Sequence, residues 1–451
     1  MRAVNPKIVR SYDLRGRVGT DLTEGDAHAL GLAYAATVRA SGGKRVAVGY
    51  DGRLSSPMLE AALVDRLVAG GLAVERIGRG PTAMLYYAVH ARGLDGGIMV
   101  TGSHNPPDQN GFKLLIDTES VWGAALKALV ATPGAPAPGG SAEEVAIEDA
   151  YVARLLAAAE GAPALRVGWD PGNGATGDVA RALTARLPGE HHLINEAVDG
   201  SFPGHHPDPS VPGNLAQLQA LVRDNNLDLG IAFDGDGDRI GAVDGTGAIV
   251  WADQLLLLLA RDVLREHPGA PVVADVKSSR VLFDGIAAAG GRPMLSPSGY
   301  VIVREAMVRE GAPIAGEMSG HLFIADDWYG TDDALHNAMR LLRAIGRSGA
   351  SLAAFRAGLP ETFATPELRL DCPDGDKARV LAAVARALAD EGAAVDRTDG
   401  LRVTEPDGWW LLRASGTEPK LTARVEAWSE AARDRMVTAL HARLAAAGLT
   451  R

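Results

Sequence analysis

A chain of 451 residues, 47% hydrophobic and 22% charged, has ample core for about three or four globular domains. Its formal charge of −11 disfavours nucleic acid or an anionic membrane as partner, and any anionic substrate must be met by locally clustered Arg and Lys. The single cysteine, Cys372, excludes an intrachain disulfide and a multi-cysteine metal site. With no signal-peptide pattern over 1–10 and a leucine run of only 255–259, a soluble cytoplasmic protein is expected, monomeric or dimeric.

In chain order, Ser11-Tyr12-Asp13-Leu14-Arg15-Gly16 precedes a helical stretch over 25–39, and a strand over 45–49 ends in Tyr50-Asp51-Gly52-Arg53. A helix near 57–69 and strands near Val74 and Ile98 follow. Short apolar runs alternating with helical lengths predict α/β architecture with a mostly parallel sheet. The strand at 97–100 delivers Thr101-Gly102-Ser103-His104-Asn105-Pro106-Pro107. A serine on such a turn presents its hydroxyl with little bulk around it. His104 and Asn105 add polar groups, and the two prolines stop the turn from continuing as a helix. Open α/β sheets place ligands at this end of a strand, so Ser103 is a candidate nucleophile, although a serine in a polar turn can equally be structural. Asn110-Gly111-Phe112-Lys113 is close enough in sequence to return a lysine to the same place.

The Pro/Gly/Ala stretch over 132–140 reads as an exposed loop or linker, with a helix over 143–159 leading into a second unit. That unit opens with a strand at 165–169 followed by Gly172-Asn173-Gly174-Ala175-Thr176-Gly177, a match to the dinucleotide fingerprint with Glu196 at about the ribose-acid distance. Glycines at a tight strand-to-helix turn need no cofactor, and this match is expected to be a decoy. His205-His206-Pro207-Asp208-Pro209 suggests a rigid proline-bracketed loop more than a metal site. A buried strand at 229–233 then runs into Asp234-Gly235-Asp236-Gly237-Asp238-Arg239. Three carboxylates this close raise each other's pKa, and a divalent cation relieves the strain. Oxygen-only ligands indicate Mg²⁺ over Zn²⁺. A calcium EF-hand is excluded, because Arg239 stands at the required glycine and Gly245 at the bidentate glutamate.

A third α/β unit contributes a strand at 272–276 leading to Lys277-Ser278-Ser279, and a strand at 313–315 leading to Gly316-Glu317-Met318-Ser319-Gly320-His321. Glu317, Ser319 and His321 alternate, so in an extended loop they face one way, as reading the hydroxyls of a sugar would need. A helix over 332–346 closes the unit. From about 362 the pattern changes to strands with helices over 377–391 and 429–446. A strand at 409–412 delivers Arg413-Ala414-Ser415-Gly416-Thr417-Glu418-Pro419-Lys420, where an arginine, hydroxyls and an exposed glycine N–H suit a phosphate.

A hydroxyl nucleophile, a Mg²⁺ loop, a hydroxyl-reading loop and a phosphate cradle, in this order over 8–427, resemble the α-D-phosphohexomutase family. The motifs that carry the resemblance are Tyr12-Asp13-Leu14-Arg15-Gly16, Thr101-Gly102-Ser103-His104-Asn105-Pro106, the Asp234–Arg239 loop, Gly316-Glu317-Met318-Ser319-Gly320-His321 and Arg413-Ala414-Ser415-Gly416-Thr417-Glu418-Pro419. Met318 is similar to the phosphomannomutase/phosphoglucomutase branch, the glucosamine branch usually having Gln there.

The resemblance implies four domains around a central cleft. Three are related mixed α/β domains (1–149, 150–247 and 248–361), and 362–451 form a C-terminal α+β domain like the TATA-box-binding protein. It implies interconversion of hexose 1-phosphate and hexose 6-phosphate through phosphorylated Ser103 and a hexose 1,6-bisphosphate. Mg²⁺ would be held by Ser103's phosphate with Asp234, Asp236 and Asp238. Arg15, Arg239 and His104 would attend the transfer, with Lys113 a general acid/base once neighbouring positive charge lowers its pKa. Tyr12, Lys277, Tyr300, Glu317, Met318, Ser319 and His321 would contact the phosphosugar, and Arg413, Ser415, Gly416 and Thr417 the phosphate not being transferred. The alternatives are a phosphoglucosamine mutase, or a Mg²⁺-dependent sugar phosphatase using the same serine. Two positions depart from the branch: Gly299-Tyr300 where Gly-His is common, and Gly416 where Asn is frequent.

Overall fold

The structure, a computed structural model, describes residues 3–416 and 419–449. The chain divides into two compact units: residues through Val263 with Ser319–Arg356, and Leu264–Met318 with residues from Ala357 onward.

In the first unit one sheet runs in the order Leu14–Arg17, Gln109–Ile116, Gly96–Val100, Arg45–Tyr50, Ala73–Arg79, Ser141–Glu144, with Glu119–Ser120 beside Gln109–Ile116. The last four strands of this order are parallel, and Gln109–Ile116 runs antiparallel to both its neighbours, so the sheet is mixed. The apolar run Gly96–Val100 is buried at every position because both neighbours and both faces are covered. The helix Glu24–Ala40 starts at a Thr23/Asp26 capping box, and Ser56–Ala69 starts with Pro57 in its first turn, where a missing N–H costs nothing. Leu30, Tyr34, Leu63, Val46, Val48, Ile98 and Phe112 close the core between helices and sheet.

The expected helix over 143–159 is corrected to a strand, Ser141–Glu144, and a helix, Glu148–Ala158. The strand pairs with Ala73–Arg79 at the sheet's edge, where all four side chains are exposed and no hydrophobic alternation can announce it. The stretch 132–140 has no regular structure but is laid across the first unit. Ala137 N donates to Ala69 O at 2.8 Å, and Gly134 and Gly140 have no room for a Cβ against the backbones of Leu32 and Val68.

A second sheet in this unit has the order Ile249–Val250, Ile240–Asp244, Leu229–Phe233, Leu165–Asp170, Gly189–Leu193, antiparallel on the first side and parallel on the second. In the second unit Pro271–Asp275 lies between Arg292–Ser296 and Ile314–Gly316, all parallel. Its other sheet is antiparallel and carries the helices Asp374–Asp390 and Glu430–Ala446, packed through Val380, Leu388, Trp410, Met436 and Leu440. Among the described residues no helix is long and apolar enough to cross a membrane.

Candidate active site

In the first unit Ser103 follows the strand Gly96–Val100 and is 2% exposed. Its φ of 49° is in the left-handed region, a strained position for a non-glycine residue. Arg53, wholly buried, holds the turn: Nη1 donates to Pro106 O (2.6 Å) and Gln109 O (2.8 Å), and Nη2 to Ser103 O (2.7 Å) and Asn105 O (2.6 Å). Asp51 completes the brace by accepting from Thr101 Oγ1 at 2.8 Å and Gly102 N at 3.1 Å. Arg15 lies over the same loop, donating to Gly102 O at 2.9 Å and to Asn105 Oδ1 at 3.1 Å while paired with Asp13. Tyr12 is half-buried beside Trp122, ring centroids 6.0 Å apart.

Ser103 Oγ donates to Asp234 Oδ2 at 2.9 Å, which brings the serine and the acidic loop together. Asp234, Asp236 and Asp238 are each 0% exposed. Lys113 Nζ lies 2.8 Å from Asp236 Oδ2 and also pairs with Asp238 Oδ2. These partners are carboxylates, whereas the sequence reading assumed neighbouring cations. Thr82 Oγ1 adds a 2.6 Å bond to Asp236 Oδ2. Burial and the charges of Asp238 and Asp236 push the Asp234 carboxyl well above the usual range. Burial would raise Asp236 too, but the charge and hydrogen bond of Lys113 hold it far below. Asp236 Oδ1 and Asp238 Oδ1 are buried without a hydrogen-bond partner, and the three aspartates offer oxygens within 4.8 Å of one another. Unpaired buried carboxylate oxygens are costly, and an oxygen-only set of this kind fits a hard divalent cation.

Arg239 Nε donates to His321 Nε2 at 2.9 Å. A guanidinium can only donate, so Nε2 is the acceptor and the ring proton is on Nδ1, which donates to Asp332 Oδ2 at 2.8 Å. The expectation that Glu317, Ser319 and His321 face one way is therefore corrected. The loop turns at Met318-Ser319, and Gly320 takes a φ of 99° while its carbonyl accepts from Ile240 N at 3.1 Å, so the alternation of an extended chain is lost. On the serine loop, His104 Nδ1 meets Asp208 Oδ2 at 3.1 Å, and the charge of Arg239 together with burial pushes the imidazole down to about 4. Asp208, from the proline-bracketed loop, thus orients a residue of the serine turn.

The glycine-rich match at 172–177 serves the acidic loop. Ala175 N donates to Gly235 O at 2.9 Å, and a Cβ on Gly174 would lie 2.8 Å from that oxygen. Close backbone approach accounts for the glycine without a dinucleotide.

In the second unit the loops after the three parallel strands hold Lys277, Tyr300, Glu317 and Met318. Lys277 follows Pro271–Asp275 and lies 3.8 Å from Asp275. Tyr300, half-buried, opens the helix Tyr300–Glu310, and the preceding Gly299 N donates to Glu317 Oε1 at 2.6 Å. Met318 N donates to Asp275 Oδ1 at 3.2 Å. Arg413, at the end of Gly408–Ala414, is paired with Asp399 at 2.8 Å. Ser415 O accepts from Lys377 Nζ at 2.9 Å, and Gly416 is exposed. Thr417 lies outside the described residues.

Four domain models of one family match in order along the chain, at 6–123, 149–247, 251–363 and 367–442: phosphoglucomutase/phosphomannomutase α/β/α domains I, II and III and the C-terminal domain. The chain belongs to the phosphoglucomutase/phosphomannomutase family. Among relatives, the phosphomannomutase/phosphoglucomutase of Pseudomonas putida is 42% identical over 433 residues, 95% of this chain and 93% of the relative. The phosphoglucomutase of Neisseria gonorrhoeae is 39% identical over 97% of this chain and 96% of its own length. The crystal structure of a phosphoglucomutase/phosphomannomutase family protein from Burkholderia thailandensis covers 99% of this chain, with 98% of that chain matched, at a TM-score of 0.92 and 38% identity.

Within this family frame, sequence reasoning missed Arg53, Asp51, Thr82, Asp208 and Asp332 as supports of the site. Asp51 and Arg53 had a visible signal, charged residues at a buried strand's end; Thr82 acts through a contact 154 residues away, and Asp332 through His321, which no local pattern pairs with it.

Proposed function

We propose that this family member interconverts hexose 1-phosphates and hexose 6-phosphates, with mannose and glucose as the sugars. The observation that carries the reading is a buried serine hydroxyl 2.9 Å from one of three buried aspartates whose neighbours leave two oxygens unpartnered. Ser103 carries the phosphoryl group. In the first transfer the Ser103 Oγ–P bond breaks as the free hydroxyl of the sugar phosphate bonds to phosphorus, giving a hexose 1,6-bisphosphate. In the second, Ser103 Oγ bonds to the phosphorus of the other phosphoryl group as its bond to the sugar oxygen breaks, which restores the phosphoserine and releases the isomer. Lys113, paired as an ammonium with Asp236 and Asp238, is the candidate general acid/base that gives a proton to Ser103 Oγ as it leaves phosphorus and recovers one from the attacking hydroxyl, and Arg15, Arg239 and His104 attend the phosphoryl group. Asp234, Asp236 and Asp238, with the phosphoryl on Ser103, would hold Mg²⁺, which when bound neutralises charge on the transferred group. Tyr12, Lys277, Tyr300, Glu317, Met318 and Ser319 contact the sugar, with His321 acting through Arg239. Arg413, Ser415, Gly416 and Thr417 grip the phosphate that stays. The domain borders proposed are 1–149, 150–247, 248–361 and 362–451.

Incubation with mannose 1-phosphate and Mg²⁺, following both the 6-phosphate isomer and free phosphate, tests the reading. Isomer formation outrunning phosphate release is expected; free phosphate accumulating faster would overturn the mutase in favour of a phosphatase.

A further inference from the structure

Asp275 ends the middle strand of the three parallel strands in the second unit and is 0% exposed. It accepts a hydrogen bond from the loop after each of them. Ser278 Oγ donates to Oδ1 at 2.9 Å, Ser298 Oγ to Oδ2 at 2.8 Å, and Met318 N to Oδ1 at 3.2 Å. These loops carry Lys277, Tyr300 and Glu317-Met318. A second carboxylate, Asp399, accepts from Ser298 N at 3.1 Å and from Arg413 Nε at 2.8 Å, both on Oδ2. Ser298 thus joins two acidic nodes, one holding the three strand-end loops and the other the arginine of the phosphate loop. Glu317 is tied into the same group through Gly299 N.

We propose that Asp275 and Asp399 are positioning residues that, through Ser298, set the spacing between the groups reading the sugar hydroxyls and the arginine gripping the distant phosphate. The proposal rests on the assignment of those loops to substrate. A substrate that must bind in two orientations needs one fixed distance between its hydroxyl contacts and its phosphate contact. Hydrogen bonds to the buried Asp275 and the half-buried Asp399 supply this better than flexible side chains meeting the ligand independently. In these contacts Asp275 touches neither Arg413 nor the phosphate loop, and Ser298 with Asp399 links it to Arg413.

Calorimetric titration of the full chain with glucose 1-phosphate and with inorganic phosphate reads the link without requiring turnover. Asp275→Asn keeps an acceptor for Met318 N but turns amide hydrogens toward Ser298 and Lys277. It is expected to weaken glucose 1-phosphate by about tenfold, the scale of one hydrogen bond to a charged group, and to leave inorganic phosphate within about twofold. Ser298→Ala, which removes only the joining hydroxyl, should reproduce that pattern even if Asp275→Asn folds poorly. Asp399→Asn, which frees Arg413, should weaken both ligands. The double variant Asp275→Asn/Asp399→Asn should lose less glucose 1-phosphate affinity than the product of the single losses, because both act through Ser298. Multiplying losses, or equal weakening of both ligands by Ser298→Ala, overturns the link. Variants that show this pattern while the wild-type protein turns over no hexose phosphate overturn the mutase reading and leave the link standing.

Discussion

The guanidinium of Arg53 grips the carbonyl of Ser103 at 2.7 Å, so the residue that fixes the serine turn is fifty positions away in sequence and wholly buried. Burial lowers the Arg53 pKa, with Asp51 opposing the shift, yet the group remains cationic at neutral pH. Replacing it by Met leaves four carbonyls and Asp51 without their partner. Arg53→Met is expected to cost about 3–5 kcal/mol in denaturant unfolding, the scale of breaking a buried pair. Activity should fall with it, and Arg53→Lys should recover only part of either, since an ammonium cannot reach four acceptors in one plane.

Ser103 should be found phosphorylated in intact protein, as a species heavier by one phosphoryl group that maps to the peptide holding it. Ser103→Ala should lower turnover by several orders of magnitude, because it removes the proposed covalent carrier. Near-normal activity of the variant with added bisphosphate would remove Ser103 from the chemistry.

Turnover should require Mg²⁺ and vanish in chelator. Asp236→Asn removes a charged oxygen from the acidic loop and should weaken Mg²⁺ by at least about tenfold, about 1.4 kcal/mol, read as a shift in the Mg²⁺ concentration giving half-maximal rate. Better support by Zn²⁺ than by Mg²⁺ would contradict the oxygen-only argument.

Glucose and mannose differ at C2, while the resembled family implies that the Glu317-Met318-Ser319 loop reads the hydroxyls at C3 and C4, which the two sugars share. Their 1-phosphates should both be turned over with kcat/KM within about a hundredfold, the discrimination open to a site with no dedicated contact. Tyr300, tied through Gly299 to Glu317, is the residue to change. Tyr300→His should alter the ratio of the two sugars more than it alters the summed rate. Parallel kinetics with glucosamine 1-phosphate separates the remaining alternative.

Glu75 gives the fold an acid limit. Burial raises its pKa, but hydrogen bonds from Arg92 and Arg45 outweigh this and leave it below the ordinary 4.5. A folded-state value below the unfolded one stabilises above the unfolded pKa, and the contribution is lost as pH falls through the folded value. Glu75→Gln should therefore lower stability at pH 7 and flatten its dependence below about pH 4.5, measured by urea unfolding at several pH values.

The strand Leu229–Phe233 was legible to the residue, and the serine and acidic loops were legible as strand-end turns, because apolar runs and glycine punctuation are local signals. The strand Ser141–Glu144 was not, since it buries no side chain and its exposed glutamates resemble a helix surface. The partners of Lys113 were not legible for a different reason. A motif names its own residues but not the charges folded against it, and the carboxylates that meet Lys113 come from more than a hundred residues away. His321 was misplaced because one left-handed glycine cancels the two-residue period on which facing arguments depend.

The glycines at 174 and 235 have a mechanical consequence. A Cβ on Gly174 would meet the Gly235 backbone, and one on Gly235 would meet the Ser103 carbonyl, so three main chains rest on one another with no side chain between them. Such a stack has no rotamers through which to relax. The height of the serine above the acidic loop is set by main-chain contact and not by side-chain rotamers. Adding a methyl group at either glycine would act as a shim, lifting Ser103 away from Asp234 without touching any group that reacts.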